Sequence, residues 1–567
     1  MAQRQRQRRA IVVCSACHKR KIKCDIQPWI HSQALRPCSA CLERGTECRL
    51  RSRKPYTWKV RSPKKVEAER KTAVVDHVGH HTPVEFHIDQ AKVTVTVGSN
   101  PVSRTGTLYF GESGYGSLMG ILDPPAQSKG RHLSIESSRD NALPAEDLEY
   151  LKAKGCFALP DESRALLSAY FKFVHPQFPV LDGTAFLRDH GDGRLDTINL
   201  LLLWSMFSVG ASYVPACRGA ETKALYHMRA KTLFDISGEN DKYVLIQSSL
   251  LLSFFFDDVE DVQQSWYWSG IAFSLAQSLG LHEILPVVEG KSSPTYRGTL
   301  WQCCILRDAW LSYTMGRPLR LWEAELISSS WCQFSDMVLF GERVHIDDEA
   351  NELEKAWRCS VDASWALNLS LQGKVVQTDS ILSRWQSQQQ PPRELFNPAV
   401  ALCSRYSRLC QHAAIIAVCQ LNEKNGSTSD ASQLDLIDTA EREIASIVQS
   451  YLRYDTINCV PLMIVPLIMP ALLVAVAALK TEKSTRRERA AERLWSYLAL
   501  LGAIEHSYPA ASMVKRLFGT VRDEILAQNE GQRDTKSQAR EGYFRRSPQS
   551  GTHLTPIISP ISTATKL

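Results

Sequence analysis

The chain has 567 residues, enough for one small module plus one large domain, or for about three to four average domains. Hydrophobic residues make up 44%, which excludes a disordered polymer over most of its length. The net charge of +7 is held unevenly: residues 1 to 72 carry 20 Lys and Arg against 5 Asp and Glu, the remainder 47 against 55, so one end is suited to a polyanion.

The first residues, MAQRQRQRRAIVV, are basic, but only a short apolar stretch at 10 to 13 follows, without a cleavage pattern. This argues against secretion and for a reducing compartment, where clustered cysteines bind metal more often than they form disulfides. Six of the 16 cysteines are clustered, as C-x2-C-x6-C-x13-C-x2-C-x6-C: Cys14, Cys17, Cys24, Cys38, Cys41 and Cys48. Two copies of C-x2-C-x6-C within 35 residues are far more specific than one C-x2-C. A structural zinc takes four ligands in a tetrahedron. Two zinc ions need eight bonds from six sulfurs, so two thiolates must bridge, and the repeat symmetry nominates Cys14 and Cys38.

The runs Cys17-His18-Lys19-Arg20-Lys21-Ile22-Lys23-Cys24-Asp25 and Arg36-Pro37-Cys38-Ser39-Ala40-Cys41 closely resemble the fungal binuclear zinc cluster transcription factors. The resemblance implies a short helix entering the major groove of double-stranded DNA. It places Arg20 and Lys21 where members read base edges, commonly a CGG triplet, and Lys19 and Lys23 where phosphates are gripped. The chemistry fits: Lys and Arg donate to the O6 and N7 acceptors of guanine, whereas phosphate contacts set register. Read alone, the basic run fits a solvated surface or a nuclear import signal as well as it fits DNA reading; the six-cysteine frame decides for DNA, with import as a second use of Arg4 to Arg9, Lys19 to Lys23 and Arg49 to Lys54. The 13-residue insert from Asp25 to Pro37 is long for the family, and its His31 is read as a loop residue, since six cysteines already satisfy two ions.

Many family members continue into a dimerising coiled coil. Here Pro55 and Pro63 interrupt the sequence and no heptad is sustained, so a homodimer through a coiled coil is not supported. Residues 49 to 140 read as a basic arm and linker, with strand-like alternation at Ala91 to Val97. The Gly-rich GESGYG is not followed by GK[ST] and is no phosphate loop.

From 145 to 528 the pattern is of long apolar helices. The stretch around INLLLLWSMFSVGASYV is apolar on nearly every face, as in a central buried helix. In WYWSGIAFSLAQSLGLH, Tyr267, Ile271, Leu275 and Leu279 recur every four residues, and Gly280 follows as a C-cap. The fold class is all-α: a small zinc-cysteine module plus a large helical domain. The stretches 166 to 186, 266 to 282 and 300 to 321 resemble the fungal-specific regulatory domain that accompanies this cluster. That resemblance implies regulation and, in some members, response to a small-molecule effector.

Other features favour plain structural readings. FFFDDVED at 254 to 261 has the composition of an activation segment but lies between two buried helices. His175 and Asp182 lack a nucleophile motif or metal spacing, so no catalytic residue is assigned. The other ten cysteines are scattered, like small buried hydrophobes. The uncharged run from Cys459 to Leu479 is divided by Pro461, Pro466 and Pro470; after Pro470 about 10 residues remain, ~15 Å of helix against a ~30 Å bilayer core. A buried helix with Pro470 near its first turn is expected, and no membrane association. Residues 529 to 567 read as a disordered Ser/Thr/Pro tail.

The sequence reading is thus a nuclear, pathway-specific DNA-binding regulator, an activator that addresses the transcription machinery at CGG-type sites. The alternatives are a repressor, or a zinc-dependent adaptor that recruits protein partners without reading DNA. An enzyme carrying a zinc module is disfavoured by the lack of a catalytic motif.

Overall fold

A computed structural model describes residues 15–20 and 38–46, four strands between 84 and 137, and most of 143–544. The chain forms two units, Met1–His80 and His81–Leu567.

In the first unit, helix α1 is Ser15–Arg20 and α2 is Ser39–Leu42, each a Ser-Ala-Cys start taken from one half of the cysteine repeat.

The second unit begins with an antiparallel sheet of β1 (Val84–Ile88), β2 (Ala91–Thr96), β3 (Thr107–Phe110) and β4 (Arg131–Ser137), in the order β1-β2-β4-β3. Its register aligns apolar positions across strands: Phe86 with Val93 and Val93 with Ile135, then Val84 with Val95 and Val95 with Leu133. Where the sequence suggested one strand in a linker, the chain has four. Strands β1 (VEFHI) and β4 (RHLSIES) alternate much as β2 does, and β1 turns into β2 across only residues 89 and 90, but each stretch is short and the sequence reading takes only β2 for a strand.

The helical body follows. Helix α3 is Ala145–Ala153, α4 is Ser163–Ala169 running into a π turn at Tyr170–Val174, α5 is Gly183–His190, and α6 is Leu200–Gly210. Helix α6 is buried almost throughout, and Asn199 caps it by accepting from the N–H groups of Leu201 and Leu202 at 3.0 and 3.3 Å. Against it pack α7 (Ala220–Ile236) and α8 (Lys242–Leu252), and α9 (Gln263–Ser278) and α10 (Pro294–Met315) pack on α8 and on each other. Then come α11 (Asp347–Leu371), α12 (Pro398–Lys424), α13 (Ala431–Arg453), α14 (Ile464–Leu479), α15 (Ser484–Ile504) and α16 (Pro509–Phe544).

Helix α9 ends as its sequence predicts. Gly280 has φ +66°, its N–H bonds to the Gln277 carbonyl at 2.9 Å, and that of Leu281 to the Ala276 carbonyl at 3.0 Å, a Schellman closure. Its buried face is wider than the expected stripe and leaves out Tyr267. Trp268, Ala272 and Ala276 are buried and Tyr267 is exposed, while Leu279 of the expected stripe is buried and Ile271 and Leu275 are half-buried against the core.

Two further expectations shift. Helix α14 starts at Ile464, so Pro466 occupies the first turn and Pro470 lies inside it. Its 16 residues span ~24 Å, and among the described residues no helix is long and apolar enough to cross a membrane. Helix α16 runs to Phe544, past the point where a disordered tail was expected; the remainder of that tail, like residues 256–262 of the acidic segment, lies outside the described residues.

The ten cysteines of the helical unit are buried, except Cys459, which is half-buried. Burial raises the thiol pKa of Cys303, Cys332, Cys403 and Cys410 far above the ordinary value.

Candidate metal centre and nucleic-acid interface

The two short helices of the N-terminal unit each present a cysteine inward. Cys17, on α1, is buried, as are Cys38 and Cys41 at and within α2. The Cys38 carbonyl accepts from the N–H groups of Cys41 and Leu42 at 3.0 and 2.9 Å, folding the C-x2-C into one turn with both sulfurs on one side. Gly45, at φ +60°, closes that turn: its N–H bonds to the Leu42 carbonyl and that of Thr46 to the Cys41 carbonyl, at 3.3 and 3.0 Å. This is a second Schellman closure. Sequence reasoning passed over Gly45 and Thr46; the signal was a glycine four residues after Cys41.

The Sγ atoms of Cys17, Cys38 and Cys41 all lie within 4.8 Å of one another, with Cys17 and Cys38 3.5 Å apart. That is too long for a disulfide, whose sulfurs sit ~2.05 Å apart. It is close to the ~3.8 Å edge of a tetrahedron with Zn–S bonds of ~2.3 Å. Three buried sulfurs at this spacing are a soft donor set that fits zinc. Cys38 belongs by sequence to the second half of the repeat, yet sits close to Cys17 of the first.

Lys19 and Arg20 are exposed on α1, the helix that carries buried Cys17. One short helix therefore offers a sulfur on one side and two cations on another. Cys14, Lys21, Lys23, Cys24 and Cys48 lie outside the described residues.

Comparison with known proteins assigns both parts. Residues 12–57 match the fungal Zn(2)-Cys(6) binuclear cluster domain, and residues 167–351 match the fungal specific transcription factor domain. The chain carries both domains of the fungal binuclear zinc cluster transcription factors. This zinc cluster factor is 22% identical to cutinase transcription factor 1 alpha of Fusarium vanettenii, over 94% of the chain and 67% of that protein. It is 30% identical to cutinase transcription factor 1 beta of the same organism, over 32% of the chain and 22% of that protein. It is also 30% identical to the acetamidase regulatory protein of Emericella nidulans, over 40% of the chain and 29% of that protein. The match thus spans two thirds of one relative and less than a third of the other two. The domains and relatives of the factor are those of a DNA-binding regulator and not of an enzyme.

Within the regulatory domain His175 and Asp182 have separate structural roles. The Asp182 carboxylate caps α5, accepting from the Ala185 N–H at 3.0 Å. The His175 ring is fully buried among Phe171, Phe334 and Tyr170, and burial, with His345 nearby, pushes it down to about 3. Another motif stretch, 300 to 321, is tied by Arg320. Its guanidinium pairs with Asp308, lies 3.6 Å from the Trp266 ring centroid and donates to the Trp266 carbonyl.

Proposed function

We propose that this factor is a nuclear, pathway-specific transcriptional activator that reads CGG-type sites in double-stranded DNA through residues 14 to 48. In this reading Cys14, Cys17, Cys24, Cys38, Cys41 and Cys48 hold two zinc ions, with Cys14 and Cys38 bridging. Arg20 and Lys21 read bases, and Lys19 and Lys23 hold phosphates. Zinc supplies the covalent cross-link of a segment too short to bury a core of its own. The helical domain supplies regulation. The observation that carries the reading is the joining of the two cysteine repeats: Cys17 from one and Cys38 and Cys41 from the other converge, beneath a helix whose Lys19 and Arg20 face solvent. The relatives, named for the cutinase and acetamidase systems, support a pathway-specific role.

Lys21 and Lys23 carry the same charge, so comparing them separates base reading from phosphate gripping. Lys21→Ala is expected to cost ~1–3 kcal/mol on a CGG-containing duplex and to reduce the preference over scrambled DNA. Lys23→Ala should weaken both duplexes alike and lower the salt slope by ~1. Titrations at several salt concentrations read both quantities, and equal loss on both duplexes by Lys21→Ala would remove its base-reading role.

A further inference from the structure

A cavity of about 130 Å³ lies within the helical unit, between the segment after α8 and helices α10, α14 and α16. Its walls are mostly apolar, with Phe254, Phe255, Leu311, Val465, Met469 and Met513 contributing. One wall residue is a cation. Arg307 of α10 is buried, and its guanidinium lies 4.3 Å from the Phe254 ring centroid. It donates to the Ser253 hydroxyl and carbonyl at 2.9 and 2.6 Å and to the Met463 sulfur at 3.1 Å. These bonds use one N–H on each nitrogen, leaving one on each terminal nitrogen of a group with five.

A second cation stands behind the same wall. The Lys223 ammonium is buried 4.6 Å from the ring of Tyr508 and 5.9 Å from that of Phe255, both lining residues, and it donates to the Ser507 carbonyl. Among the described residues neither cation has a carboxylate partner, and burial lowers Arg307 to about 9 and Lys223 to about 7. The other deeply placed arginines differ: Arg320 pairs with Asp308, and Arg493 with Glu441 at 2.6 Å. A buried guanidinium without a counter-charge among the described residues is costly, and Arg307 keeps its place beside an accessible apolar space.

We propose that this cavity binds a small monocarboxylate with an apolar body, its carboxylate on the free N–H groups of Arg307 and its body among the Phe, Met and Val side chains. A cavity of ~150 Å³ accepts benzene, so the body is a single ring or a chain of about six carbons. The regulatory consequence rests on the factor reading above. A bound ligand would tie α10, inside the matched regulatory domain, to α14 and α16 outside it.

Binding is read directly on the full-length, zinc-loaded protein by calorimetry and thermal shift, independently of DNA binding. The probes are hexanoate and benzoate, with 1-hexanol and hexylammonium as controls. Hexanoate is expected to bind at least ~10-fold more tightly than hexanol, because only it offers Arg307 a charged acceptor, and hexylammonium is expected not to bind. Arg307→Met, which keeps the apolar stem, should abolish the preference for hexanoate over hexanol. Ala510→Trp, which fills the cavity from α16 without touching the charge, should block both. Equal affinity for hexanol and hexanoate, hexanoate binding that survives Ala510→Trp, or no binding of any monocarboxylate from four to ten carbons would overturn the proposal. Should Arg307→Met not fold, the wild-type ranking of the probes and Ala510→Trp decide. Failure on these counts leaves the zinc cluster and its DNA site untouched, and loss of DNA reading by Lys21→Ala leaves the cavity untouched.

Discussion

The N-terminal unit and the helical unit solve the same problem with different materials. Among its described residues the first buries three cysteine side chains and little else, so its cohesion resides in sulfur. The second buries Trp204, Trp268, Trp301, Trp310 and Trp357, each fully enclosed, in one continuous core. A short chain that must present cations to DNA cannot also cover a hydrophobic core, whereas a domain of several hundred residues can. The contrast teaches where each unit is vulnerable: the first to loss of metal, the second to loss of volume and to acid.

Chelation is the harshest way to break this comparison. With zinc removed, a fragment of residues 8 to 60 is expected to unfold, since zinc supplies ~10 kcal/mol or more to modules of this size. The full-length protein should keep its helical circular dichroism. Native mass spectrometry and spectra before and after chelator test both halves, and a fragment that stays folded without metal would dissolve the distinction.

Trp310→Ala should do the reverse. The indole is fully buried and donates to the Ser364 hydroxyl at 3.0 Å, joining α10 to α11. Truncation is expected to cost ~3–5 kcal/mol of helical-domain stability while the zinc content stays the same. Denaturant melts alongside metal analysis would show it.

Acid sharpens the contrast more gently. His175 is held near 3, and His227, His345 and His412 near 4, in each case chiefly by burial, against an ordinary value of 6.5. The unfolded chain therefore binds more protons than the folded one below pH ~6.5, and stability falls as pH drops through that window toward 4. Each histidine contributes a slope of up to ~1.4 kcal/mol per pH unit. His345→Gln should flatten the loss, as tryptophan fluorescence in denaturant melts from pH 7 to pH 4 would record; an unchanged slope would mean that this ring is already charged in the fold.

How much could be read beforehand follows the same division. Cysteine spacing is a one-dimensional record of metal geometry, so the convergence of Cys17, Cys38 and Cys41 is legible from residue numbers. Helix α6 and the cap at Gly280 were legible too, because apolar runs and left-handed glycines leave local marks. The inward face of α9 was legible in part. Leu279 is buried, and Ile271 and Leu275 pack against the core as the stripe predicts, but Tyr267 is exposed and the deepest positions include Ala272 and Ala276, which carry little hydrophobic signal. The sheet was only partly legible: β1 and β2 form a local hairpin across residues 89 and 90, whereas β4 pairs with β2 and β3 across tens of residues, which no local pattern marks. Likewise, the cavity beside Arg307 assembles residues from 254 to 514, and no local pattern marks a site made by tertiary packing alone.

The sealed thiols of the helical unit bear on how metal is shared out in a population of these molecules. A thiol must lose its proton to bind zinc, and burial holds Cys303, Cys332, Cys403 and Cys410 in the protonated form, which disfavours their competing with the N-terminal cysteines. Denaturation reverses this. Cys303, Cys332, Cys403 and Cys410 then return to ordinary acidity and become available as ligands, so where zinc is limiting an unfolded copy is expected to lower the zinc content of intact ones, as metal analysis of a mixture would record.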